Sequence, residues 1–275
     1  MTQNPDTNDY MMVLRYYEHG GLRNYLNKSR DINCKTKVKN LTEFARGLLD
    51  IHNSGKIHKD LHSGNVLFAI SPKNNKTFSG ISDLGMCQPA DNKEKQEGIY
   101  GVLPYVAPEV LRGSQYTQAA DVYSFGIIMN EFMSEEIPYN DIPHDQILTV
   151  RICNGLRPNI SDDTPKLLAD LIKKCWDAKS ENRPTARELV RVLEKWCLEE
   201  IRDKNSVLYS QVKGCEKIRK SKLKNESNED KSKNNQTHPQ AIYTSRLLNF
   251  KDLPKPVNSL ELANYSNSLD LSSYF

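Results

Sequence analysis

Apolar residues recur near helical spacing from Thr36 to His52, where Val38, Leu41, Phe44, Ala45, Leu48, Leu49 and Ile51 predict a helix that Gly55 closes as a C-cap. Upstream, the apolar and aromatic run YMMVLRYY, Tyr10 to Tyr17, predicts a strand; Gly20-Gly21 punctuates it and LRNYLN predicts a short helix. Downstream, VLFAI and FSGISDLG predict two short strands joined by a turn at residues 73–76. Residues 86–104 lack periodicity and hold two glycines, so they read as a long loop of the kind that carries function. Asp121 to Glu135 is apolar around much of its circumference and predicts a largely buried central helix. Further helices are expected over about 144–153, 165–176 and 185–200, the last with Leu189, Val192, Leu193, Trp196 and Cys197 on one face.

Composition splits the chain. Hydrophobic residues make up 37% of it, low for a fully globular protein, and the formal charge is +3. Residues 201–240 hold ten Lys/Arg against five Asp/Glu, which is +5, so the remainder is −2. We divide the chain into a folded region, residues 1–200, and a basic, polar tail, 201–275, too poor in apolar residues to offset its ordering entropy. The tail reads as disordered and solvated, with Leu247, Leu248, Phe250 and Leu253 as candidate anchors for docking a partner. Its charge alone makes only a weak case for nucleic acid. Six cysteines stand at irregular spacings without a C-x-x-C pair, as expected of reduced thiols in a cytoplasmic protein. The first residues are polar, and no window approaches a membrane span.

The candidate chemistry begins at IHKDLHSGNVLF, residues 57–68. Asp60, on a loop, can take the proton of an attacking hydroxyl, and the Asn65 amide oxygen five positions on can ligate Mg²⁺, a hard ion. Asp83, in SDLG, supplies a second hard ligand 23 residues after Asp60, across the predicted hairpin. Each residue alone also fits plain turn chemistry. Their order and spacing argue for the functional reading.

The set resembles the protein-kinase family. His58-Lys59-Asp60-Leu61…Asn65 matches its catalytic loop, Asp83-Leu84-Gly85 its metal motif and Ala107-Pro108-Glu109 its A-P-E motif. DVYSFG, residues 121–126, and ENRPT, residues 181–185, look like the start of its central helix and the turn before its last helix. The tyrosine-kinase-like Ser/Thr kinases are closest in style, and the resemblance covers residues 10 to about 200.

It implies a protein-kinase-like α+β fold: a mainly α-helical large lobe with short β-hairpins, a truncated small lobe and a disordered C-terminal tail. Asp60 becomes the catalytic base, with Lys59 and Asn65 beside it. Asn65 and Asp83 hold Mg²⁺. ATP is placed by Leu67 under the adenine, by backbone groups near Arg15 and Tyr17, and by Leu14 as gatekeeper. Glu109 and Arg183 form a buried ion pair, and Asp121 accepts hydrogen bonds from catalytic-loop amides.

Departures matter too. Only nine residues precede Tyr10, so the Gly-rich loop, the V-A-I-K lysine and the αC glutamate are not found, and a truncated small lobe is expected. Lys59 replaces arginine, a point charge for a planar fork. His62 and Val102 stand where Ser/Thr kinases usually carry Lys and Thr, so acceptor choice only leans towards Ser/Thr. Leu84 replaces Phe as an apolar plug. Between Gly85 and Ala107 the only hydroxyls are Tyr100 and Tyr105, so activation does not rest on a phospho-Ser/Thr there. Two functions remain open: transfer of the ATP γ-phosphoryl group to protein hydroxyls, or a catalytically inactive binding module.

Overall fold

In the computed structural model, residues 2–29, 32–71, 77–91, 98–226 and 237–258 are described. β1 (Thr2–Gln3) and β2 (Tyr10–Met11) form a small antiparallel hairpin. The predicted strand over Tyr10 to Tyr17 is thus confined to its first two residues. Residues 12–16 run as exposed, irregular chain with no strand beside them among the described residues, so their backbone groups lack a ladder to join.

β3 (Gly20–Gly21) leads directly into α1 (Leu22–Lys28), and α2 (Cys34–Asn53) follows, its N-terminus capped by Asn33, whose side chain accepts from the Thr36 amide. Gly55 ends α2 at φ +72°, with its N–H donating to His52 O. β4 (Lys56–Ile57), β5 (Val66–Ile70) and β6 (Thr77–Ile81) come next. β5 is the centre of a three-stranded sheet, antiparallel to both β3 and β6, with Val66 opposite Ile81 and Leu67 opposite Gly80. The expected turn at 73–76 lies outside the described residues. β7 (Gln88–Pro89) pairs with β4, and β8 (Ile99–Gly101) lies on the far side of residues 92–97, also outside the described set. The long loop read over 86–104 therefore contains two short strands.

α3 (Pro108–Leu111) precedes α4 (Gln118–Ser134), whose residues Ala120–Met133 are all buried, as its all-round apolar pattern predicts. α5 (Gln146–Cys153), α6 (Lys166–Cys175) and α7 (Ala186–Lys195) complete the helical body, with α2 packed on α7 and α4 on α6. Thr185 and Glu188 form a reciprocal capping box at the start of α7, and a π-helical turn over Trp196–Glu200 ends it. One core runs through these helices, with the stacked Phe44 and Phe125 rings, 4.8 Å apart, at the α2–α4 contact. No described helix is long and apolar enough to cross a membrane.

Two stretches of the polar tail depart from the structureless expectation. α8 (Val207–Glu226) is a helix whose Leu208, fully buried, and Val212 pack on the core. Its charges meet partners on the body: Arg219 pairs with Glu135 at 2.7 Å, Lys222 with Asp163 at 2.9 Å, and Glu216 accepts from the Cys34 amide. Averaged composition hid this, because a few apolar residues at helical spacing plus ion pairs secure the helix. Residues 237–258 lie against the body and contribute β9 (Arg246–Leu248), antiparallel to β8 with Gly101 opposite Arg246. The rest of the tail, 227–236 and 259–275, is outside the described residues.

Candidate active site

The loop between β4 and β5 is fixed from below by Asp121, near the start of α4. Its carboxylate is buried and accepts from the His58 amide at 2.8 Å and the Lys59 amide at 3.0 Å, while His52 Nε2 lies 2.9 Å from it. Lys59 takes a left-handed φ of +73°, and this double grip holds it there. The fully buried His58 imidazole lies with Nε2 3.1 Å from Ser82 O, which joins this loop to the end of β6.

Asp60 is buried in the loop so formed. Asn65 Nδ2 donates to Asp60 O at 2.9 Å, closing the loop and turning the amide oxygen the other way. Ser82 returns two bonds to Asn65 O, through its amide at 2.9 Å and its hydroxyl at 3.1 Å. Asp83 follows at once, in the left-handed region at φ +60°, exposed, with one carboxylate oxygen accepting from the Gly85 amide. Asp60, Asn65 and Asp83 thus sit on two segments tied by direct hydrogen bonds.

His62 stands between them. Its Nδ1 accepts from the Gly64 amide and its Nε2 lies 3.9 Å from Asp60 Oδ2. Burial holds its imidazole below the ordinary range, while the charges of Asp60 and Asp83 pull it back up. One ring senses both carboxylates. Its position two residues after Asp60 was legible; the contact was not.

Lys59 turns its ammonium to Gln88 Oε1, at 3.0 Å in β7, and over the Tyr116 ring. Burial lowers its affinity for a proton. Tyr116 donates to Tyr100 O at 2.6 Å, and burial together with Asp60 pushes its phenol up. Of the two hydroxyls between Gly85 and Ala107, Tyr105 is buried between Glu131, at 2.6 Å, and Ser63, at 3.0 Å; Tyr100 is exposed. Glu131 also pairs with Arg23 of α1, and burial raises its carboxyl.

The nucleotide-side residues gather less completely. Leu67, half-buried, lies opposite Gly80, and the Tyr17 hydroxyl comes within 2.5 Å of where a Gly80 side chain would begin, on the same face. Arg15 stacks over the Phe78 ring at 4.1 Å. Leu14 is 73% exposed, so among the described residues it does not form the wall expected of a gatekeeper. Leu84 is 56% exposed and so does not act as an apolar plug among the described residues. Glu109 and Arg183 form the expected ion pair in bidentate form, both bonds 2.7 Å, with the Arg183 side chain fully buried.

The donors suit a hard divalent ion: an amide oxygen oriented by its own nitrogen's bond and a carboxylate open to solvent. Residues 2–193 match the family profile for protein tyrosine and serine/threonine kinases. The chain is 32% identical over 197 residues to probable serine/threonine-protein kinase gdt4 of Dictyostelium discoideum, covering 68% of the chain and 12% of that protein. It is 30% identical over 195 residues to serine/threonine/tyrosine-protein kinase HT1 of Arabidopsis thaliana, covering 70% and 49%. To mitogen-activated protein kinase kinase kinase 13 of Bos taurus it is 30% identical over 185 residues, covering 67% and 19%. The chain spans between 12% and 49% of the length of these three relatives.

Proposed function

The chain belongs to the protein tyrosine and serine/threonine kinase family, and we propose that it transfers the γ-phosphoryl group of ATP to Ser or Thr hydroxyls of a protein substrate. The observation behind this is the bonded frame of the site: Asn65 to the Asp60 carbonyl, and Ser82 to the Asn65 carbonyl. This frame ties the segments that carry the proposed proton acceptor and the two proposed oxygen ligands, which favours the reading.

Asp60 holds the acceptor hydroxyl and takes its proton as the oxygen forms a bond to the γ-phosphorus and the bond to the β–γ bridging oxygen breaks. ADP leaves with that electron pair. Asn65 and Asp83 would hold Mg²⁺, which when bound would supply charge neutralisation for the phosphates. Leu67, with Tyr17 beside it, offers the apolar surface for the adenine. Lys59 acts by position: its bond to Gln88 ties β7 to the loop that carries Asp60.

The test is transfer of label from γ-³²P-ATP with Mg²⁺ to casein, by the chain and by Asp60→Asn. Loss of the general base should cost about 10²- to 10⁴-fold in kcat, with the label on Ser and Thr. Equal rates would remove Asp60 from its role, and label on Tyr would reassign the acceptor.

A second reading, a binding module without catalysis, draws on the exposed Leu84 and on the tail segment paired with β8, the strand that passes Asp60. It predicts no change in melting temperature with ATP and Mg²⁺.

A further inference from the structure

β8 runs past the catalytic carboxylate. A side chain at Gly101 would begin 3.8 Å from Asp60 Oδ1, and Tyr116, which feels Asp60, is bonded to the neighbouring Tyr100 carbonyl. A substrate whose hydroxyl reaches Asp60 must pass this strand. The free edge of a short strand is also where an extended peptide gains backbone hydrogen bonds. In this chain that edge is taken: β9 pairs with β8 residue for residue, from Ile99 against Leu248 to Gly101 against Arg246.

The pairing is one part of a longer attachment. Arg246 Nη2 donates to His144 O at 2.8 Å, and the Tyr243 hydroxyl donates to Pro138 O at 2.8 Å. Leu248 is buried in the core. Leu247 lies on Gly98, where a side chain would begin 2.4 Å from the leucine's Cδ1. Further on, Arg112 donates to Leu253 O and the Val257 amide to Cys153 O. Strand, side-chain and backbone contacts thus run from β8, Pro138 and His144 to Arg112 and Cys153, and hold 238–258 along its length.

We propose that residues 238–258 are an intramolecular occupant of the protein-substrate face, a strand that must leave β8 before an extended peptide can present its hydroxyl to Asp60. The proposal rests on the kinase reading for what the face accepts. Because the segment is tethered, its effective concentration is in the millimolar range, far above a dilute substrate. Release of the strand, by a partner or a modification, would open the face.

The experiment uses the full chain and a fluorescein-labelled synthetic peptide of residues 238–258. Three proteins are titrated: wild type, Leu248→Asp, and the double variant Arg246→Ala/Tyr243→Phe. The double variant removes two hydrogen bonds without placing a charge in the core, so it carries the test if Leu248→Asp does not fold. Displacing the tethered strand should tighten peptide binding at least about tenfold over wild type, and the same peptide carrying Leu248→Asp should not bind. Equal capture by all proteins, or capture by none, overturns the proposal.

Casein phosphorylation separates the two claims. The released variants should show a KM for casein lowered by a similar factor with kcat unchanged. Tighter peptide binding with an unchanged KM would place the strand off the substrate path and overturn the proposal. Absence of phosphorylation in all three would fail the kinase reading, with occupancy still decided by the peptide.

Discussion

Asp121 holds the turn before Asp60 from a buried position at the start of α4. Its two oxygens receive the amides of His58 and Lys59 and the His52 ring, and it lies at the base of the loop that carries Asp60. Asp121→Ala strands those buried donors, each at about 1–3 kcal/mol. The loop also loses its anchor, and a misplacement on the order of 1 Å costs about 10²-fold in rate. The expected outcome is a lower urea midpoint together with a kcat loss of that order in the casein assay; an unchanged kcat would show that the loop holds its shape without the carboxylate. Asp60, Asn65, Asp83 and Asp121 could be singled out in the sequence because they stand at short offsets or inside a recognisable motif, and the structure brings their segments together. Lys59 was legible as a cation, but its partners Gln88 and Tyr116 were not, because the contacts span 29 and 57 positions and depend on how the loop folds back.

At the scale of elements, the Arg183–Glu109 pair joins the segment before α7 to α3. Arg183→Met leaves Glu109 without its partner, at a cost of about 3 kcal/mol. Urea unfolding should show that loss as a lower midpoint with an unchanged slope. A midpoint equal to wild type would mean that the pair contributes nothing net.

The tail joint at α5 titrates. His144 Nδ1 lies 3.0 Å from Ile242 O, its Nε2 lies 3.2 Å from Tyr139 O, and the Tyr243 ring packs against it at 4.9 Å. Burial holds this imidazole below its ordinary value of 6.5. Arg246 acts in the same direction, while Asp145 and the backbone bonds to Ile242 and Tyr139 oppose it. The docked form therefore binds a proton less readily than the released one. The contribution of His144 to docking is therefore fully present above 6.5 and weakens as pH falls below that value towards the lowered one. Amide exchange over 240–248, corrected for intrinsic rates, should speed up as pH falls below 6.5 and not above it, and His144→Gln should flatten the trend. Protection that is constant with pH would contradict it.

Helices α2 and α4 to α7 were readable from the 3.6-residue period, because each buries a stripe or a whole surface. β8 and β9 were not: three-residue strands carry no periodic signal, and their pairing is set by the approach of a distant segment.

Across the whole molecule, charge and packing are shared between body and tail. The +5 of residues 201–240 faces a remainder of −2, and Arg219 and Lys222 of α8 meet Glu135 and Asp163 of the body. Part of the basic surplus is thereby neutralised within the chain, which weakens any reading of the tail as a nucleic-acid arm. The division at residue 200 followed composition. The structure carries the packing past it, through the buried Ile201 and Leu208. Composition could not report this, because a few well-spaced apolar residues and ion pairs suffice to seat a helix on an existing core.

The central claim is that Asn65 and Asp83 hold one divalent ion beside a nucleotide, within reach of Asp60. Calorimetric titration of ATP into the full chain, with Mg²⁺ and with EDTA, tests it most directly when repeated on Asp83→Ala. The account predicts that Mg²⁺ tightens ATP binding to the wild-type chain and that Asp83→Ala abolishes this tightening. Equal affinity with and without the metal in the wild-type chain, or full metal dependence in Asp83→Ala, would contradict it.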